Sequence, residues 1–391
     1  MERIILHSDM DRFYCAVEEK YNPKLKKAPF AVCGDPAMRH SIVMSASSLA
    51  REHGVRAGLR FADARKLCPQ LVYITADMAK YLTEAKAARE VYLKYSEEII
   101  PYGMDESWII LKKGITWQDA EQIADLIRLE IMYSMELSTS VGISYNLIFS
   151  KIGSDYQKPN GKTVITKDNF KEKVWPLDVS RLLFVGEVRK KALTRFNFRT
   201  IGDLAAADPC FLSRIIKSKA GHDLWQFANG DDSSFNPASE KIGSIGNTIT
   251  PPADLNTNEE ITAVMYMLAS AVSARLKKHS LNTKSISISM RDNQFNKIIR
   301  QRTLNFTTNS AVKIFDSAIH LFKTHYTWEN PLRSIGIRAA NLDPSTQLTL
   351  FDWPERDIMD EKLNSYIKPV TSRFGVLEVE KSAGLWKDGE F

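Results

Sequence analysis

No run of apolar residues in this chain approaches the ~18 that a membrane-crossing helix needs, so a helical integral membrane protein is excluded. Cysteine is scarce. The four present (Cys15, Cys33, Cys68, Cys210) are widely spaced with no CxxC pair, which argues against a zinc site and a disulfide framework and for reduced thiols in a cytoplasmic protein. The N-terminus, Met1 to Asp9, has neither a long apolar core nor a small-residue cleavage site, and is expected to be a first strand, not a signal peptide. Apolar residues make up 44% and charged residues 26%, which excludes wholesale disorder and a fibrous protein. At 391 residues the chain is too long for one core, and two to four domains are expected.

The net charge is a modest +6, but it is unevenly placed. Residues 238–342 carry +6, residues 343–391 carry −4, and residues 1–237 carry +4. A basic segment beside an acidic tail points to a polyanion contact at 238–342, although ordinary solvated surface explains the charge equally well.

The pattern predicts a strand over 3–8, a helix over 13–21, a strand over 30–33 and a helix over 45–53. A helix is expected over 78–100 and a strand over 108–111. An amphipathic helix over 117–135 would be N-capped by Thr116. Strands over 139–144 and 163–166 flank a further helix, giving an α+β sheet covered on one face. Residues 182–235 read as all-helical, and 243–254 as a linker running into a strand. After it come a helix (259–279), two strands (285–291, 298–306), a helix (309–326) and a strand (332–340). In the first of those strands Ile286, Ile288 and Met290 alternate with Ser285, Ser287, Ser289 and Arg291; in the next, Arg300 and Arg302 share a face. The expected small sheet is apolar on one side and polar and basic on the other, a surface suited to a nucleic-acid backbone.

Asp9 closes a strand, and Asp105 and Glu106 open another in a turn containing Gly103. If those strands are neighbours, three mutually repelling carboxylates converge and need a cation. Hard oxygen donors suit Mg²⁺, and two ions could serve an in-line phosphoryl displacement. From spacing alone, capping and solvated turn carboxylates are the competing explanation; Asp11, two residues on, is secondary.

Asp9-Met10-Asp11-Arg12-Phe13-Tyr14-Cys15-Ala16-Val17-Glu18 resembles the opening motif of Y-family, translesion DNA polymerases, and further stretches agree in order. Ser45 to Arg51, Gly54-Val55-Arg56 and Lys66-Leu67-Cys68-Pro69 are similar to the fingers. Met104-Asp105-Glu106 is similar to the second catalytic motif, and Lys151 to Asp155 with Lys158 to Gly161 to the end of the palm. Gln347-Leu348-Thr349-Leu350-Phe351 looks like a bacterial clamp-binding peptide. Within that family the chain most resembles the group of bacterial DNA polymerase IV and its Gram-positive UmuC/DinB-like relatives.

The resemblance implies a right-hand, multidomain α+β polymerase. Its palm would be 1–12 plus 76–166, its fingers 13–75, its helical thumb 167–237, its linker 238–246, its α+β little finger 247–342 and its tail 343–391. It implies that Asp9, Asp105, Glu106 and the Met10 carbonyl hold two Mg²⁺ ions, with Mn²⁺ as a substitute. Tyr14 would be the steric gate against a 2′-hydroxyl, although a core aromatic at helical spacing with Val17 is the other explanation. Ser48, Arg51 and Lys158 would hold the triphosphate, and Lys190, Lys191, Arg291, Arg300 and Arg302 the DNA. Gln347, Leu348, Leu350 and Phe351 would bind a sliding clamp; an edge strand is the alternative there. The implied partners are primed template DNA and dNTP, for a monomer in the bacterial cytoplasm, associated with the nucleoid and with no membrane contact. No length is left for an exonuclease domain.

Some positions depart from the family pattern. Ser48 stands where a tyrosine is usual, Gly103 where a serine is usual, and Tyr145 and Leu147 lie in a stretch that often carries lysines. The thumb hairpin reads Gly186-Glu187-Val188 and lacks its second glycine. A weakly active or non-catalytic DNA- and clamp-binding accessory protein is therefore the second reading, and another palm-type nucleotidyltransferase, such as a nucleotide cyclase, the third.

Overall fold

The structure, a computed structural model, describes residues 3–35, 41–237 and 242–344. The clamp-like peptide Gln347 to Phe351 lies outside the described residues. The chain divides into two units, with the main boundary in sequence after residue 240.

In the first unit the elements run β1 (Ile5–Met10), α1 (Phe13–Tyr21), β2 (Phe30–Cys33), β3 (Val43–Ala46), α2 (Ser48–Glu52), α3 (Phe61–Leu67), β4 (Val72–Thr75) and α4 (Met78–Leu93). They continue as β5 (Glu98–Pro101), β6 (Glu106–Ile110), α5 (Trp117–Met135), β7 (Thr139–Ser144), α6 (Leu147–Ser154) and β8 (Lys162–Ile165). Five short helices follow: α7 (Phe170–Lys173), α8 (Glu187–Thr194), α9 (Ile201–Ala205), α10 (Pro209–Ile216) and α11 (Ala220–Ala228). A five-stranded sheet in the order β5-β6-β1-β7-β8 is the frame of the unit, and β3-β2-β4 form a small second sheet.

Alternation along β1 separates two cores. Leu6, Ile109 and Ile143 pack with Val91 of α4 and Ile127 and Ile131 of α5. Ile5, Trp108 and Ile110 pack with Ile148 and Phe149 of α6 and with Leu193, Leu212 and Leu224 of the helices beyond. Both faces of the sheet are therefore covered, where the strand pattern alone predicted one.

Two expected elements end differently. The helix predicted over 45–53 starts only at Ser48. Ser47 is its N-cap and accepts from Ala50 N, leaving Val43–Ala46 to pair with β2. The helix predicted over 78–100 stops at Leu93. Tyr95 N and Ser96 N both return to the Tyr92 carbonyl, and Ser96 Oγ then accepts from Glu98 N at 3.0 Å, turning the chain into β5. By contrast α5 follows its predicted limits, with Thr116 and Asp119 forming a reciprocal capping box.

Helix α6 crosses β7 at backbone contact. A Cβ on Gly142 would lie 1.9 Å from the Ser150 carbonyl oxygen and 2.4 Å from Ser154 N. Nothing flexible is there to yield, so Gly142→Ala is expected to cost at least ~3 kcal/mol. A large fall in the urea midpoint, or insoluble protein, is the expected readout; an unchanged midpoint contradicts the packing.

The second unit runs β9 (Ser244–Ile249), α12 (Asn258–Lys278), β10 (Asn282–Asp292), β11 (Lys297–Thr308), α13 (Ala311–His325) and β12 (Leu332–Asp343). Its sheet order is β11-β10-β12-β9, with α12 and α13 on the face of Ile286, Ile288 and Ile337. The strand β9 begins inside the expected linker, because Ile245 is buried opposite Ala339 and belongs to this core.

Candidate active site

Strand β1 ends where β6 begins. Asp9 pairs with Glu106 on one side and with Ser140 on the other, and Met10 N donates to the Asp105 carbonyl at 3.1 Å. Direct cross-strand partners share a face, so Asp9 and Glu106 project together. Asp105 stands beside them, in a turn that Gly103 enters at φ 78°. The structure thus brings all three predicted carboxylates to one sheet edge.

Two lysines that close α6 and the loop after it face them. Lys158 Nζ lies 2.7 Å from Asp9 Oδ2 and 2.8 Å from Asp155 Oδ1, and Lys151 pairs with Glu106. Buried His7 places Nε2 3.3 Å from Glu106 Oε2 without hydrogen-bond geometry, while its Nδ1 meets Ser154 Oγ at 2.8 Å. Asp11 is buried and accepts from Ser138 Oγ, Ser140 Oγ and Asn160 N. Its work is to pin the loop that carries Lys158.

Burial pushes the Asp9 carboxyl up to about 6 despite Lys158, and pushes Asp105 up as well. Burial likewise lowers Lys151 and His7, with nearby lysines adding to the effect on His7. Among the described residues no three acidic, histidine or cysteine side chains lie close enough to hold a metal as they stand, since Glu106 is drawn to Lys151 and Asp9 to Lys158. The donor set nevertheless fits a hard divalent cation. Desolvated carboxylate oxygens whose ionised forms are disfavoured are short of positive charge, and a bound cation reverses that penalty.

These groups open into a cavity of about 670 Å³ that Tyr14, Ser48, Arg51 and Lys158 also line. Tyr14 is half-buried and edge-on to Tyr81, with centroids 5.0 Å apart, and to Phe13 at 5.4 Å. Its phenol is raised by burial and then by the charge of Asp105. Ser48 opens α2, and Arg51 on the same helix donates Nε to the Ala46 carbonyl at 3.0 Å. Arg12, Met44, Ser45 and Glu52 line the cavity too and were given no individual role by the sequence, nor were Lys151 and His7 behind the carboxylates, although Arg12, Ser45 and Lys151 lie in the family-like motifs.

The predicted DNA contacts fare unevenly. On α8, Lys190 is paired with Asp178 at 2.9 Å, while Lys191 is exposed. In the second unit Arg302 lies opposite Ile286 and Arg300 opposite Ile288, so both share the face of the buried isoleucines and not the polar face. They stay exposed because β11 is an edge strand; Arg302 borders a cavity of about 290 Å³ with Lys313, Asp316 and His320 of α13. The open face instead carries Arg291, Lys297 opposite it, and Arg338 opposite Ser287. Alternation of Arg338 with Ile337 and Ala339 was the signal for that residue. Gln347, Leu348, Leu350 and Phe351 lie outside the described residues.

No helix among the described residues is long and apolar enough to cross a membrane. Residues 8–155 match the model of the impB/mucB/samB family, and residues 243–350 match that of the impB/mucB/samB family C-terminal domain. A DNA polymerase IV of Acetivibrio thermocellus is 37% identical over 100% of this chain and 99% of its own. DNA polymerase IV 1 of Bacillus subtilis is 31% identical over 99% and 94%. Among solved structures, a Dbh-Dpo4-Dbh Y-family DNA polymerase chimera superposes with a TM-score of 0.74 at 21% identity, covering 86% of this chain and 98% of that one. An insertion ternary complex of Dbh DNA polymerase has a TM-score of 0.61 at 20% identity, covering the same shares. With three carboxylates meeting at the ends of β1 and β6 and family matches in both units, the chain belongs to the impB/mucB/samB family.

Proposed function

We propose that the chain is a template-directed, low-fidelity translesion DNA polymerase that adds dNTPs to a primer 3′ end by phosphoryl transfer, without proofreading, in DNA damage tolerance. The observation that carries this reading is the meeting of Asp9, Asp105 and Glu106 in a cavity that also holds a half-buried tyrosine and two cations, Arg51 and Lys158. The named relatives and the Y-family fold support it. The five-stranded sheet with α4, α5 and α6 serves as palm, the β3-β2-β4 layer as fingers, the helices beyond β8 as thumb and the second unit as little finger.

Asp9, Asp105, Glu106 and the Met10 carbonyl would hold two Mg²⁺ ions, or Mn²⁺ in their place. Bound there, the ions supply charge neutralisation and an activated 3′-hydroxyl. The chain's own groups do the rest. Arg51 and Lys158 offset charge on the triphosphate, and the Ser48 hydroxyl can donate to it. No side chain caps α1, its first turn has no acid, and Arg12, Phe13 and Tyr14 line the cavity, so its first amides would be available to phosphate oxygens. Tyr14 fills the space below the sugar. Lys191, Arg291, Lys297 and Arg338 would contact the DNA backbone, with Arg300 and Arg302 at the sheet's edge. Lys190 would have to leave Asp178 first.

Primer extension on an undamaged primed template with Mg²⁺ tests this. The expected product grows only with template and adds the complementary nucleotide. A folded, DNA-binding protein that extends nothing returns the accessory reading, and product without template the cyclase-like one. We further propose that Gln347 to Phe351 binds a sliding clamp through Leu348, Leu350 and Phe351, and that the protein works as a monomer at the bacterial nucleoid. Deleting 347–351 is expected to abolish stimulation by the clamp and to spare basal extension. Equal loss of both makes the segment structural.

A further inference from the structure

The cavity contains one cation with no role so far. Arg12 joins β1 to α1 in the left-handed region at φ 51°, a conformation that costs a side-chain-bearing residue energy and gathers at functional sites. Its carbonyl accepts from Ala16 N at 2.9 Å as the helix starts. Its guanidinium grips Glu19 with both terminal nitrogens, Nη1 to Oε1 at 3.1 Å and Nη2 to Oε2 at 3.4 Å. The pair is largely shielded, with Arg12 28% and Glu19 13% exposed.

Arg51 shares that wall of the cavity. Among the described residues no carboxylate pairs with Arg51, and its basicity falls through burial, with the charges of Arg12 and Arg56 adding to the fall. Two guanidiniums near enough to repel each other, at the mouth of an uncapped helix, form a local excess of positive charge. Such an excess is stable when a polyanion sits between the two groups.

We propose that Arg12 is a further triphosphate-binding residue, which Glu19 holds ready and from which an incoming nucleotide's phosphates draw the guanidinium. The proposal rests on the polymerase reading and extends it. A planar fork that meets a carboxylate with two nitrogens meets two phosphate oxygens equally well. Glu19 is then a competitor as well as a holder, and removing its charge raises the potential felt by the triphosphate.

The test is single-nucleotide insertion kinetics on primed DNA. Arg12→Ala is expected to raise the KM for dNTP about tenfold or more with little change in kcat, and Arg12→Lys to recover part of it. Glu19→Gln is expected to lower KM. Opposite signs are the signature, because a pair that merely staples the first helix makes both variants lose in the same direction. Both variants raising KM alike, or an Arg12→Ala enzyme with wild-type KM, overturns the proposal. Equilibrium binding of dNTP with Mg²⁺ to the same three variants predicts the same order of affinities without turnover. An inactive wild type thus counts against the polymerase reading, and an unchanged Arg12→Ala affinity counts against this one.

Discussion

Asp105→Ala is expected to abolish template-directed extension, lowering kcat by at least ~10³-fold while leaving affinity for primed DNA within about twofold. The expectation follows from position. Asp105 stands just before β6, its carbonyl accepts from Met10 N at the end of β1, and it lines the cavity with Asp9, Glu106 and Tyr14. The groups assigned to DNA lie on other elements. Stability supplies an independent sign. Burial raises the carboxyl pKa of both Asp9 and Asp105, so without metal each carboxyl contributes stability while it is protonated, fully below its unfolded pKa, and loses that contribution as pH rises through its folded pKa. For Asp9 that loss runs from the ordinary carboxylate range to about 6. Asp105→Ala and Asp9→Asn are therefore expected to melt no lower than wild type at pH 8 in EDTA. A large fall in Tm for either makes the carboxylates structural and removes the reason for their burial.

Tyr14→Ala is expected to raise ribonucleotide insertion relative to deoxyribonucleotide insertion by on the order of 100-fold, with dNTP insertion falling by much less. The ring cannot swing aside easily. It stands edge-on to Tyr81, which is fully buried and whose hydroxyl donates to Glu18 Oε1 at 2.5 Å; Lys80 Nζ holds the other Glu18 oxygen at 2.7 Å. A ring backed by a fixed neighbour excludes by shape, whereas a loose one would yield to a hydroxyl for little cost. Tyr14→Phe removes only the phenol oxygen and should keep most of the discrimination. Unchanged sugar preference in Tyr14→Ala contradicts the gate and leaves Tyr14 as a core aromatic.

What the sequence made legible was local. The capping box at Thr116 and Asp119 marked the start of α5, and the alternation of Ile286, Ile288 and Met290 marked β10. Asp9, Asp105 and Glu106 were visible because a strand end and a turn carry them, and the family resemblance joined the two. What stayed hidden depends on groups far apart in the chain. His7 and Lys151 meet Glu106 only because β1, β6 and α6 pack together. Coverage of the second sheet face needed Ile5 and Trp108 to meet the helices beyond β8. Arg300 and Arg302 were placed on the wrong face because alternation within β11 says which residues share a side, while only its register with β10 says which side that is.

In the proposed reaction Asp9, Asp105 and Glu106 together hold divalent cations beside the nucleotide. The most direct measurement is Mn²⁺ binding to the protein with primed DNA and a non-hydrolysable dNTP, followed by electron paramagnetic resonance. Two bound ions per chain are expected in the wild type and at least one fewer in Asp105→Ala, with DNA still bound in both. Equal Mn²⁺ occupancy in wild type and variant would contradict it.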